Sequence, residues 1–279
     1  MGVIMEIGVS TYSYSKKTKS IAKAFDFAAS QGFKFVEIAD GGKGLFARIK
    51  FAKLKRHAES LGLTVYSYVF GANLASPVNR SREVKRIKGQ IDLAHTVGAK
   101  LIRHDILPWG SDDDTFERHF DEIVASERDI CHYAAKYGIT VTVENHGLYL
   151  QQIADLDRLY KAVDKPNFKL LGDMGNFMCG DVDPKEAFTA LAPYFAHVHA
   201  KDFYFKPKTE KHPAGYFKSR GGNYLCGSVI GDGVVPVEDC LNVLKNVGYD
   251  GKLVIEYEGQ DDPLTGIAQS KDFLKHYLS

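Results

Sequence analysis

Five times along this chain a helix-like segment runs into a glycine and then straight into a strand-like run: SQGFKFVEI, SLGLTVYSY, TVGAKLIRH, KYGITVTVE and NVGYDGKLVIE. The glycines are Gly32, Gly62, Gly98, Gly138 and Gly248. Each stands just past a helix, where the backbone commonly turns left-handed and only glycine does so without a steric cost. After each glycine comes a short run of β-branched and aromatic residues, bounded like a strand and too short for a helix.

Followed through all 279 residues, the strand-like runs number eight and fall at 6–10, 35–38, 64–68, 100–104, 140–144, 169–172, 195–199 and 252–256. Amphipathic helix candidates lie between them, at 21–30, 51–61, 83–97, 115–137, 156–163 and 237–247. Strands joined by helices pair in parallel, and eight such units in about 250 residues predict a closed (β/α)8 TIM barrel. A doubly wound open sheet is the rival, but no GxGxxG follows the first strand. With no linker or low-complexity stretch, residues 1–279 are expected to form a single domain.

In such a barrel the active site forms at the C-terminal ends of the strands. Strand five ends VENHG, bringing Glu144, Asn145 and His146; strand six ends GDMGNF, bringing Asp173 and Asn176; strand seven ends in HVHAKDF; strand eight ends VIEYEG, bringing Glu256 and Glu258. Glu, Asp, His and Glu thus meet on one rim. Three carboxylates without a counter-charge would repel one another, so a divalent cation is expected. Mostly oxygen donors with one imidazole suit Mn²⁺ or Mg²⁺, with Co²⁺ and Zn²⁺ open. His197 and His199 are two apart on a strand and share a face, one layer apart. His199, nearer the mouth, is the ligand candidate, and His197 is expected below it, bonded to a ligand carboxylate. A lone strand histidine is more often a satisfied core residue; the acids on neighbouring strands shift that balance for His199.

Charge narrows the partner. The chain has 36 Lys and Arg against 35 Asp and Glu, a formal charge of +1, which gives no field to attract nucleic acid or an anionic membrane. The four cysteines are scattered without zinc-ribbon spacing and are expected to be free thiols. No apolar run approaches the roughly 18 to 20 residues of a membrane span, and the N-terminus has no signal-peptide pattern, so a cytoplasmic location is expected. A small-molecule partner fits best.

On VENHG, GDMGNF, HVHAKDF and GYDGKLVIEYEG, the chain resembles the sugar phosphate isomerase/epimerase superfamily, the xylose isomerase-like barrels, over nearly its whole length. The resemblance implies one divalent metal held by Glu144, Asp173, His199 and Glu256. It implies a sugar or keto-sugar substrate, with Glu144 and Glu256 moving a proton on opposite faces of an enediolate. Asn176 stands where ketose epimerases of the family tend to carry a histidine, and Phe205 where they carry an arginine, so substrate contacts differ. His146, two residues past Glu144, can act as a separate acid or base, which opens dehydratase or lyase chemistry on the same site. A binding barrel without catalysis is the alternative from another class.

Lys201 is a candidate for binding a substrate oxygen. His104, with Asp105, and Glu37 are further rim candidates. Trp109 is placed to stack on a sugar face or, equally, to wedge a helix. The connection after strand seven, DFYFKPKTEKHPAGYFKSRGGNYLCGSVIGDG, is long for a barrel. A solvated loop is its plainer reading; a lid over a sugar or a contact in a homo-oligomer is the functional one.

Overall fold

A computed structural model describes residues 5–44, 46–107, 111 and 114–279. Its barrel strands are β1 (Ile7–Ser10), β2 (Phe35–Ala39), β3 (Thr64–Phe70), β4 (Leu101–His104), β5 (Thr140–Glu144), β6 (Phe168–Asp173) and β7 (Phe195–Ala200). After an inserted sheet of β8 (Phe203–Lys206), β9 (Phe217–Lys218) and β10 (Tyr224–Gly227) comes the last barrel strand, β11 (Lys252–Ile255). The barrel closes in the order β1-β11-β7-β6-β5-β4-β3-β2, every neighbour parallel. Eight strands among the described residues match the expected (β/α)8 barrel.

The five glycines after helices all take a left-handed backbone, with φ between 64° and 89°. Asp164, at φ 46°, makes the same turn between a helix and β6 without a glycine. The helices are α1 (Ile21–Ser30), α2 (Ala47–Ser60), α3 (Arg80–Val97), α4 (Thr115–Arg118), α5 (Phe120–Ala135), α6 (Ile153–Val163), α7 (Pro184–Leu191), α8 (Val237–Asn246) and α9 (Pro263–Leu278). The stretch expected as one helix at 115–137 is broken at His119 into α4 and α5. α6 shows the general logic: Leu156, Leu159 and Val163 recur on one stripe and are buried, each worth about 1.5–3 kcal/mol of apolar burial. α7 starts on an Asp183 cap, whose carboxylate accepts from the Glu186 amide at 3.0 Å, with Pro184 in the first turn.

Two strand glycines let aromatic rings in, Gly8 at the floor of the barrel and Gly172 on its outer face, where Phe195 also meets Phe188 of α7 at 5.0 Å. A Cβ on Gly8 would lie 2.2 Å from the Phe35 ring, and one on Gly172 would lie 2.5 Å from the Phe195 ring. Phe35 meets Tyr66 edge-on at 5.8 Å, and Tyr66 lies 5.4 Å from the His197 ring. The interior is therefore filled below the rim, and chemistry is confined to one end. The cysteines Cys131, Cys179, Cys226 and Cys240 are free and buried. Among the described residues no helix is long and apolar enough to cross a membrane.

Candidate metal centre

The parallel register carries the four expected ligand types to one level. Asp173 pairs with His199 across β6 and β7, and His199 with Val254 across β7 and β11. Glu144 ends β5. Glu256 lies one residue past β11, but its amide still donates to the Ala200 carbonyl at 3.0 Å, which holds it at the sheet edge. From Nδ1 of His199 the distances are 3.5 Å to Glu144 Oε1, 3.6 Å to Asp173 Oδ2 and 3.8 Å to Glu256 Oε2. One donor atom from each of the four lies within 4.8 Å of the others. Atoms bound to one small divalent cation at about 2.1 Å stand roughly 3 to 4 Å apart, so the cluster needs little adjustment to close on an ion. His199 Nδ1 is buried and has no hydrogen-bond partner, and buried Asp173 Oδ2 has the Lys201 ammonium 3.2 Å away. A buried nitrogen is seldom left so, and a cation beside it resolves the orphan.

The acids are not without counter-charge, contrary to the expectation from sequence. Arg103, on β4, contacts Glu144 and lies 3.2 Å from Asp105. Lys201, just past β7, sends its ammonium to Glu256 at 2.5 Å, Glu258 at 3.1 Å and Asp173 at 3.2 Å. The two cations divide the acids unequally. Burial pushes the Glu144 carboxyl up, but the Arg103 guanidinium and His199 outweigh it and hold Glu144 well below the usual range. Glu256 goes the other way, raised by burial beyond what Lys201 and His199 offset. Burial disfavours the Lys201 ammonium, yet Asp173, Glu256 and Glu258 keep it charged well above the ordinary lysine value.

Below the rim, His199 turns its other nitrogen toward Glu37 on β2, 3.0 Å from Oε1 and 3.1 Å from Oε2. His197 also reaches Glu37, 2.9 Å from Oε2, and the Ser67 hydroxyl donates to the same oxygen at 2.8 Å. His197 was expected to bond a ligand carboxylate; it bonds Glu37 instead, which stands outside the four-residue set. All four residues are buried.

Around the mouth, His146 Nδ1 lies 2.9 Å from Asp105 Oδ1, and its ring is 40% exposed, so it faces the opening with a carboxylate behind it. Burial and Arg103 push its pKa down, but Asp105 outweighs them and the net shift is upward. Asn176, expected to touch substrate, is engaged inside the site: its amide donates to Glu144 Oε1 at 3.0 Å and its carbonyl accepts from Lys201 Nζ at 3.0 Å. His104 is corrected outright. It is fully buried on the outer face of the barrel, with Nε2 3.4 Å from Glu127 of α5, because residues alternate along β4 and Arg103 takes the inward position. Trp109 lies outside the described residues. Arg103 was missed, and Asn145, seen at the end of strand five, was given no role. Asn145 braces the site by accepting from the Asp173 amide at 2.8 Å and donating to its carbonyl at 3.0 Å. An arginine inside a barrel strand was the available signal for the first.

Residues 25–277 match the family described as the xylose isomerase-like TIM barrel. Among curated proteins the chain is similar to an inosose dehydratase of Lacticaseibacillus casei strain BL23, at 23% identity over 92% of this chain and 89% of that one. It is also similar to an L-ribulose-5-phosphate 3-epimerase, UlaE, of Salmonella paratyphi A, at 26% identity over 89% of this chain and 86% of the other. Among solved structures, the D-psicose 3-epimerase of Clostridium cellulolyticum H10 superimposes with a TM-score of 0.78 at 17% identity, over 99% of this chain and 100% of that one. These relatives are sugar-modifying enzymes by name, of two reaction classes. With the barrel closed and the match spanning nearly all of it, the chain belongs to the xylose isomerase-like TIM barrel family.

Proposed function

We propose that this protein is a divalent-metal-dependent isomerase or epimerase acting on a sugar or keto-sugar through an enediolate. One observation carries the reading: donor atoms of Glu144, Asp173, His199 and Glu256 gather within 4.8 Å at the strand ends. A divalent cation held by these four, Mn²⁺ or Mg²⁺ by their chemistry, supplies Lewis-acid polarisation of a substrate carbonyl. The chain's own groups handle the proton. Glu144 takes it from the carbon beside the carbonyl, and Glu256 returns one from its own side. Lys201 supplies a fixed positive charge beside Glu256, where negative charge on a substrate oxygen is favoured.

A second reading is favoured by the Asp105–His146 pair. An imidazole backed by a carboxylate and open to the mouth can protonate a leaving hydroxyl, which turns the same enediolate chemistry into β-elimination. The inosose dehydratase relative is of that class by name. Incubating the Mn²⁺-loaded protein with a panel of keto-sugars and keto-polyols in deuterated water separates the two. Solvent deuterium in an isomeric product is the expected outcome, and release of water the outcome that replaces it with a dehydratase. A metal-loaded protein inert on the whole panel would favour a binding barrel.

A further inference from the structure

His199 belongs to two clusters at once. Its Nδ1 faces Glu144, Asp173 and Glu256, while its Nε2 faces Glu37. Glu37, His197 and His199 are themselves a conceivable metal-binding trio. Their spacing speaks against that use. Both Nε2 atoms lie 2.9 to 3.1 Å from one oxygen, Glu37 Oε2, which also accepts from Ser67. These are hydrogen-bond lengths, and the Ser67 hydroxyl already donates to the same oxygen, so Glu37 Oε2 is occupied as an acceptor.

An ionised carboxylate only accepts, so each nitrogen bonded to it must carry a proton. Glu37 places its carboxylate within hydrogen-bond reach of Nε2 on both rings, 2.9 Å from His197 and 3.0 to 3.1 Å from His199. It follows that His197 and His199 both donate through Nε2. In a neutral ring a proton on Nε2 leaves Nδ1 bare. For His199 that bare nitrogen is the atom turned toward the three carboxylates, without any hydrogen-bond partner.

Resting on the metal centre proposed for this barrel, we propose that Glu37 is the positioning residue that fixes His199 with its proton on Nε2, so that Nδ1 is presented to the cation. His197, held by the same oxygen, stops the carboxylate from turning away. The geometry is a carboxylate–histidine–metal relay in which the carboxylate comes from β2, across the barrel from the ligand strands. Glu37→Gln removes this arrangement with little change of volume. A glutamine has one accepting oxygen and an amide that donates, so at least one imidazole faces a donor and can move its proton to Nδ1.

The experiment is two-part and uses the whole chain. In ¹⁵N-labelled, Zn²⁺-loaded wild-type protein, two-bond ¹H–¹⁵N spectra should show His199 with a protonated Nε2 and a metal-bound Nδ1, the signals being assigned by their loss in His199→Gln. A metal-bound Nε2 in His199 overturns the proposal, and this arm stands even if the Glu37 variant does not fold. In Glu37→Gln, Zn²⁺ and Mn²⁺ affinities measured by chelator competition should fall about 10- to 100-fold. A folded variant that is merely less stable, with wild-type metal affinity and ring signals, assigns Glu37 a packing role and overturns the proposal. Wild-type protein that binds neither ion overturns the metal centre itself, a failure distinct from a loss confined to the variant.

Discussion

Carboxylate and imidazole meet in this molecule under contrasting conditions. Asp105 and His146 meet at the open mouth, whereas Glu127 and His104 meet in the dry layer between barrel and α5. Burial pushes His104 down, Glu127 outweighs it, and the folded imidazole sits above its ordinary value. Because the folded value is the higher one, the pair's stabilisation is full below the unfolded histidine's pKa of about 6.5 and fades as pH rises through the folded value. Urea unfolding at about pH 6 and about pH 9 should therefore show wild type losing stability with pH relative to His104→Gln. His104→Ala, which strands Glu127, should cost about 3–5 kcal/mol at the lower pH. At the mouth, His146→Asn is expected to leave metal binding intact. It should cut an elimination activity by about 10²- to 10⁴-fold while sparing deuterium exchange beside the carbonyl, as product analysis would reveal. Glu256→Gln should weaken Mn²⁺ binding measured by chelator competition; unchanged affinity would remove Glu256 from the site. Strand-end positions made Glu144, Asp173, His199 and Glu256 legible as one group. The error at His104 arose because chemistry was read from residue type at a place where alternation decides, and Arg103 was the neighbour facing inward. Glu37 was legible as a rim carboxylate, but its bonds to two histidines from across the barrel are long-range contacts that no local pattern encodes.

At the scale of elements, the inserted sheet is where reading from sequence fell shortest. Two residues separate the end of β7 from the start of β8, and β10 lies between β8 and β9, all antiparallel. Its strands are short, β9 having two residues, and proline, glycine and lysine between them look like loop composition. The tie to the barrel is Asp202, whose carboxylate accepts from the amides of Phe203 at 2.8 Å, Gly231 at 2.9 Å, and Gly233 and Val235 at 3.0 Å. The aspartate beside the site lysine is thus a fastener for the segment leading into α8. Asp202→Ala should destabilise the protein by about 2–4 kcal/mol and raise amide exchange at 229–235 before the rest of the barrel. Uniform exchange across the chain would show that the segment is held by other contacts. The helix–glycine–strand junctions were fully legible, because a left-handed turn is a local demand that one residue type meets.

For the molecule as a whole, the seam between barrel wall and α7 depends on an absent side chain. Phe195 leans over Gly172 so closely that an added Cβ would sit 2.5 Å from its ring. Gly172→Ala should cost about 1–3 kcal/mol by overpacking. Phe195→Leu in the same chain should restore part of that loss, giving a favourable coupling in a double-mutant cycle. Additive penalties would mean that the ring is not what the new methyl meets. Closure itself has a further consequence. β11, the last strand made, slots between β1 and β7 and is followed by Glu256. A nascent chain that has not yet released this strand carries Glu144, Asp173 and His199, but it has two open sheet edges and a three-cornered site. On the proposed metal centre, high-affinity ion capture should thus wait for β11, so that chains stalled or clipped before this strand stay metal-poor and prone to edge pairing.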